Sequence, residues 1–318
     1  MTEGMKILIG YDGSTNSDAA LDDLKYAGLP DRVDATVLTV ADVIVAPPIN
    51  DPEEMFPPNV PHSVRLAHER AEHKLKEAEV IAVRASKQLK EDFPQWNVHH
   101  LAVANSPAWA LIQKANEQHI DLVVVGALGH TVLGGRLILG SVSQRVLYEA
   151  GTSVRIARQS ESKAGTPLKL LVGVDNSSYS DAVIETICQR NWPPDTQVRL
   201  LAVVDTVMPV RDAQDPTALK WIEVGDVDNW ENVRRIFQPA VDKLCARGLD
   251  AAVMIRRGDP KVEIIDEAES WKADCIFVGS KGIRGVERLL LGSVASAVSA
   301  RAHCSVEVVR PKERVQDS

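Results

Sequence analysis

The residues best placed to do chemistry in this chain are glycines, and the chemistry they offer is anion binding. Gly279-Ser280-Lys281-Gly282 is followed, after nine intervening residues, by Gly292-Ser293. A near copy runs from Gly126 through Gly129 to Gly140-Ser141. Such bends let backbone N–H groups converge on an anion, and a helix opening at the last glycine adds unpaired amides and its dipole. Ser141 and Ser293 are expected to cap those helices and to reach the same anion. Two aspartates, Asp12 in KILIGYDGSTNSDAAL and Asp175 in KLLVGVDNSSYSDAVI, end a second pair of matching strand patterns. They either face the same ligand or merely cap the helices that follow. Lys281, Arg284 and Arg288, with Arg136 and Arg145 in the first copy, are candidates to supplement anion binding or simply to be solvated.

Other chemistries fail on spacing. No GxxxxGK[ST] occurs, so the bends are not a P-loop. The histidines of HERAEH, His68 and His73, are five apart, whereas zinc ligands on one helical face lie four apart. His99 and His100 are adjacent on a strand pattern and must point to opposite faces. No Ser/His/Asp set, carboxylate pair or activated cysteine comes together from the positions that the motifs align.

Both halves repeat the same elements around these residues. Apolar strand patterns lead into Asp12 and Asp175, and second strands lie near Val40 and Val203. The connections that follow, 46–61 with six prolines and 206–228 with Pro209 and Pro216, are expected to be surface excursions. Long helices are expected from 63 to about 89 and from 228 to about 246, then third strands at 98–103 and 251–255. Pro107 and Pro260 sit at helix starts, where a missing N–H costs no hydrogen bond. Asn105 stands where Gly258 does, a place for positive φ that Asn tolerates. Fourth strands at 122–125 and 275–278 run into the glycine bends, and short helices then lead to fifth strands, SVRIAR and SVEVVR. Strands alternating with helices imply parallel sheets, with ligands held beyond the carboxyl ends of the strands where strand order reverses. The loops after strands one and four should meet there.

The 318 residues suit two domains, 1–158 and 168–318, joined by a polar linker at 159–167. Apolar residues make up 45% and charged residues 25%, a soluble globular composition. A net charge of −8 provides no broad basic field, so neither nucleic acid nor a membrane is an expected partner. Cys188, Cys245, Cys275 and Cys304 form no CxxC and read as reduced core thiols. MTEGMKILIG lacks a signal-peptide pattern, and no apolar run approaches a membrane span, so a cytoplasmic location is expected.

The glycine pattern, the paired aspartates and the duplication together resemble the nucleotide-binding branch of the universal stress protein family, whose signature is G-x2-G-x9-G-[ST]. The resemblance covers nearly the whole chain as a tandem pair. It implies an α/β fold of two Rossmann-like doubly wound domains, each with a five-stranded parallel sheet flanked by helices. It also implies that Gly126, Gly129, Gly140 and Ser141, and Gly279, Gly282, Gly292 and Ser293, hold the phosphates of ATP. Asp12 and Asp175 would contact the nucleoside, and the backbone at Val40 and Val203 would face the adenine. A divalent ion such as Mg²⁺ is expected with the nucleotide, held mostly by phosphate oxygens and water. The first half departs from the signature by one residue, with ten between Gly129 and Gly140.

What the resemblance implies is a regulatory, ATP-binding protein of stress adaptation and growth control, without efficient catalysis. Two alternatives stay open. One is a slow ATPase or phosphoryl or adenylyl transferase, although the SGGxDS loop of adenylating enzymes is absent after strand one; the other is a nucleotide-free interaction scaffold. The apolar fifth strands each need a neighbour to avoid an exposed edge. Pairing them with each other would give one chain a pseudo-twofold axis, and a homodimer of such tandem chains is expected.

Overall fold

The computed structural model describes residues 4–43, 62–127, 139–159, 166–204, 207–211, 219–223, 228–282 and 291–311. In the first half, strands β1 (Met5–Gly10), β2 (Val33–Ala41), β3 (Asn97–Ala104), β4 (Leu122–Gly126) and β5 (Ser153–Ala157) alternate with helices. The helices are α1 (Thr15–Asp23), α2 (His62–Asp92), α3 (Pro107–Glu117) and α4 (Ser141–Glu149). Ile7, Leu8 and Ile9 on β1 are all buried, as are Leu122 to Val125 on β4. Consecutive buried residues mean that helices cover both faces, as parallel sheets require. The second half repeats the plan with β6 (Lys169–Val174), β7 (Gln197–Val204), β10 (Asp250–Arg257), β11 (Cys275–Gly279) and β12 (Ser305–Val309). Its helices are α5 (Ser178–Cys188), α6 (Asp228–Cys245), α7 (Pro260–Trp271) and α8 (Ser293–Arg301).

Strand order is β3-β2-β1-β4-β5 in one half and β10-β7-β6-β11-β12 in the other, parallel throughout each. Order therefore reverses between β1 and β4, and between β6 and β11. Those gaps sit at the loops that carry Asp12 and Asp175.

One expectation about the connections changes. Between β7 and α6 the chain forms an antiparallel ribbon, β8 (Val207–Arg211) on β9 (Leu219–Glu223), with Pro209 opposite Trp221. A two-stranded ribbon has an unpaired edge on each strand, which is where a proline without an N–H is tolerated. The proline-rich stretch 46–61 lies outside the described residues, as does 160–165 of the linker.

The fifth strands do pair with each other. β12 runs antiparallel to β5 with Val306 opposite Ile156, Glu307 opposite Arg155 and Val308 opposite Val154, joining the halves into one ten-stranded sheet. Twofold-related clasps flank this seam. The Arg158 amide donates to Ser305 Oγ (2.9 Å), and its guanidinium to the Cys304 and Ser299 carbonyls (3.1 and 2.5 Å). The Arg310 amide donates to Ser153 Oγ (3.0 Å), and its guanidinium to the Thr152 and Leu147 carbonyls (3.0 and 2.7 Å).

Alternation along a strand separates two kinds of packing at the seam. On one face Val154, Ile156, Val306 and Val308 belong to a single apolar cluster that runs through both halves and includes residues of α3, α4, α7 and α8. On the other face each half has its own cluster, built on α1 and α2 or on α5 and α6. Arg155 and Glu307 lie between these two, fully buried. Among the cysteines, Cys188 and Cys275 are core thiols, whereas Cys245, at the outer end of α6, is exposed. None of the described helices is long and apolar enough to cross a membrane.

Candidate functional site

The turn after β1 is built by its own sequence. Gly13 takes a left-handed conformation (φ 78°), and Asn176 does the same at the matching place after β6 (φ 61°). Gly enters that region without penalty, and Asn is the residue that follows most readily. The chain thereby doubles back so that Asp12 Oδ1 accepts the Ser14 amide (3.0 Å) and Asp175 Oδ1 the Ser177 amide (3.1 Å). The aspartates do not cap the helices. That role falls to Ser14 and Ser177, whose hydroxyls accept the Ser17 and Ser180 amides (3.3 and 3.2 Å).

Asp175 is held further. Its Oδ1 accepts the Ser180 hydroxyl (2.7 Å), and its amide donates back to Ser180 Oγ (3.0 Å). Burial works against ionisation of Asp12, but hydrogen bonding from Ser14 outweighs it and helps hold the carboxyl below its ordinary pKa. Tyr11, beside it, donates a hydrogen bond from its hydroxyl to Asp18. Burial and that bond push its pKa up to about 12.

The glycines that end β4 and β11 come against the helices that these turns lead into. A Cβ on Gly126 would run into the backbone carbonyl of Asn16, and one on Gly279 would lie 2.7 Å from Tyr179 Cβ. A Cβ on Gly282 would stand 2.5 Å from Asp175 Oδ2, so a side chain there would push the carboxylate aside. The far end of the loop returns to its start, because the Gly292 amide donates to the Ser280 carbonyl (2.6 Å). In the first half the Ser143 hydroxyl makes a related tie to the Gly126 carbonyl (2.6 Å).

Ser141 and Ser293 are not the caps expected of them. Gly140 and Gly292 are, with extended backbone (ψ 152° and 157°) and carbonyls that accept the Gln144 and Ser296 amides. Both serines are the first helical residues instead. Neither α4 nor α8 has a side-chain cap, so their first-turn amides differ from those of α1, α5 and α7, which Ser14, Ser177 and Asp259 cap. A helix start capped by glycine beside a glycine bend is the kind of place where main-chain donors meet an anionic group.

The pattern of the Universal stress protein family matches residues 5–158 and 168–310. The chain belongs to the universal stress protein family. It does so as a tandem of two such domains. A universal stress protein of Mycolicibacterium smegmatis is 28% identical over 319 residues, covering 96% of this chain and 97% of that one. One from Mycobacterium tuberculosis is 26% identical over 331 residues, covering 96% of each. The crystal structure of a universal stress protein from Archaeoglobus fulgidus shares the fold, with a TM-score of 0.60 and 20% identity over 96% of this chain and 98% of that one.

In this universal stress protein the structure brings Asp175, Gly279, Gly282 and Gly292 together, with Ser293 opening α8. It also places Gly126 against Asn16 in the first turn of α1, with Gly140 and Ser141 opening α4; Gly129 lies outside the described residues. Val40 and Val203 lie one strand over, at the same end of the sheet. Gly10 pairs with Leu38, and Val174 with Ala202, just before them. Asn105 keeps negative φ although Gly258 reaches 153°, so the two serve differently. Their amides still make matching bonds, to the Ala41 and Val204 carbonyls. Arg145 is engaged by Glu149 (2.9 Å), and Lys281 lies 5.9 Å from the Tyr179 ring. Arg136, Arg284 and Arg288 are outside the described residues. Sequence reading missed Ser180 as the residue that fixes Asp175. Its signal was the five-residue spacing, one helical turn beyond the cap.

Proposed function

We propose that this universal stress protein binds ATP, with a divalent ion such as Mg²⁺, and acts in stress adaptation and growth control through the loaded state rather than by efficient catalysis. One observation carries the reading: Gly282 rests on the Asp175 carboxylate while the loop it belongs to ends on the glycine-capped start of α8. That arrangement provides main-chain donors and a helix dipole for phosphates, with a fixed acceptor for nucleoside hydroxyls. Gly279, Gly282, Gly292 and Ser293 would hold the phosphates, Asp175 the nucleoside, and the backbone at Val203 the base. Asp12, Val40, Gly126, Gly129, Gly140 and Ser141 would do the same in the first half. Magnesium would sit on phosphate oxygens and water rather than in a protein cage. In this reading the protein works in the cytoplasm, and two tandem chains associate through surfaces other than the fifth strands, which are used within each chain.

The test is to denature freshly purified protein and identify released nucleotide by mass spectrometry, then titrate ATP by calorimetry. ATP is expected at substoichiometric to twofold molar content, and Gly292→Glu together with Asp175→Ala should abolish the second-half share. Full ATP content in Gly292→Glu would overturn the assignment of the second-half site, and absence of any nucleotide binding would leave an interaction scaffold. Repeated hydrolysis by the purified protein alone would place it among ATP-consuming enzymes.

A further inference from the structure

The seam between the halves carries a mark of partner choice that is independent of nucleotide binding. SVRIA on β5 and SVEVV on β12 align Ser153 with Ser305, Val154 with Val306, Arg155 with Glu307, and Ile156 with Val308. In the observed register Arg155 faces Glu307, its own counterpart, while Val154 faces Val308 and Ile156 faces Val306. The pseudo-twofold axis therefore passes between Arg155 and Glu307. A residue on such an axis meets itself in a symmetric dimer. Here it meets the opposite charge, with both side chains 0% exposed and Arg155 Nη1 3.2 Å from Glu307 Oε2.

Each half also brings its own counter-ion. Asp23 on α1 takes Arg155 Nε and Nη2 (2.5 and 3.1 Å), and Arg190 after α5 donates to both Glu307 oxygens. The buried row runs Asp23, Arg155, Glu307, Arg190, alternating in sign, and each half contributes a neutral pair. The ionic difference between correct and incorrect pairing thus resides at the axis. Two first halves would bury guanidinium against guanidinium, and two second halves carboxylate against carboxylate; like charges facing across an interface are strongly disfavoured.

A steric feature acts in the same direction. Gly28 of the first half sits under Trp192 of the second, where a Cβ would lie 2.6 Å from the indole, and Gly28 has φ 62°. The Asn191 amide donates to the Gly28 carbonyl (2.8 Å), and Arg190 to the Ala27 carbonyl (2.9 Å). Counting from Asp12 and Asp175, the residue matching Gly28 is Asn191. A pair of second halves would force asparagine beneath tryptophan.

We propose that this seam is a specificity device: the fifth-strand face of the first half accepts a partner with an acidic residue at the axis and a tryptophan over Gly28, which is the second half of the same chain, and rejects its own copy. The symmetric Arg158 and Arg310 clasps hold any such pair together, whereas Arg155, Glu307 and Gly28 decide which pair forms.

The test starts from the full chain with a protease site placed between Gln159 and Pro167. After cleavage, isotopically heavy and light samples are mixed and the masses of the complexes read by native mass spectrometry. Complexes of one first and one second half are expected throughout, with like pairs at least tenfold below the one-quarter shares of random pairing. Like pairs at those random shares would overturn the proposal. If heavy and light halves do not exchange, the uncleaved chain decides through a double-mutant cycle of Arg155→Gln and Glu307→Gln in urea. A favourable coupling of tenfold or more in the unfolding constant is expected, and one below twofold would refute the role of the axial pair.

Discussion

The turns after β1 and β6 follow the same path and yet hold their aspartates differently. Left-handed residues, Gly13 and Asn176, and serine caps, Ser14 and Ser177, recur at matching positions. At the second turn the Ser180 hydroxyl donates to Asp175 (2.7 Å), and Gly282 backs the other carboxylate oxygen. At the first, the matching Ser17 hydroxyl donates to the Ser14 carbonyl (2.8 Å). Local sequence thus determines the turn, while the hydroxyl five residues after each aspartate is used differently.

The largest effect should distinguish backbone from side-chain neighbours. Gly126→Ala meets a main-chain carbonyl that cannot yield, and is expected to cost about 2–3 kcal/mol in urea unfolding. Among the described residues Gly282→Ala meets only the Asp175 carboxylate; it should leave the unfolding midpoint nearly unchanged while weakening ATP binding about tenfold, ~1.4 kcal/mol. Equal stability losses for the two would break the contrast. Ser14→Ala and Ser177→Ala should each cost about 1 kcal/mol, since both are ordinary caps. Differing values would show that the turns are less alike than their paths. Ser180→Ala should lower ATP affinity about threefold, ~0.6 kcal/mol, and Ser17→Ala less, by calorimetry.

The smallest effect concerns Tyr11, which has Val174 as its counterpart. With its pKa raised to about 12 from 10.0, the tyrosine keeps its proton longer folded than unfolded. Its contribution to stability is complete below pH 10 and fades as pH rises toward 12. Ultraviolet titration should show one late tyrosinate step that Tyr11→Phe removes.

Much of this was legible beforehand. β-branched runs ending in glycine or aspartate marked β1, β4, β6 and β11, and duplication confirmed each against its copy. The hairpin β8–β9 escaped because Pro209 argues against a strand unless the edge is unpaired. The helix caps shifted by one residue because Gly140 and Gly292, with no side chain to offer, can adopt the extended cap backbone and leave Ser141 and Ser293 inside. Arg155 and Glu307 were least legible. A charge in the middle of SVRIAR or SVEVVR reads as solvent-facing, and only the antiparallel register buries Arg155 and Glu307 against each other.

Because β5 and β12 close on one another, the sheet of the described residues has two rims, β3 and β10. A rim of one molecule laid on the opposite rim of the next would propagate without limit as a filament. Polar side chains stand at both: His99 and His100 on β3 reach Asp34 and Glu79, and Arg256 on β10 reaches Glu267. Desolvating these groups would oppose strand addition, so fusing two domains halves the number of rims to be guarded and leaves polar, partnered side chains on both that remain.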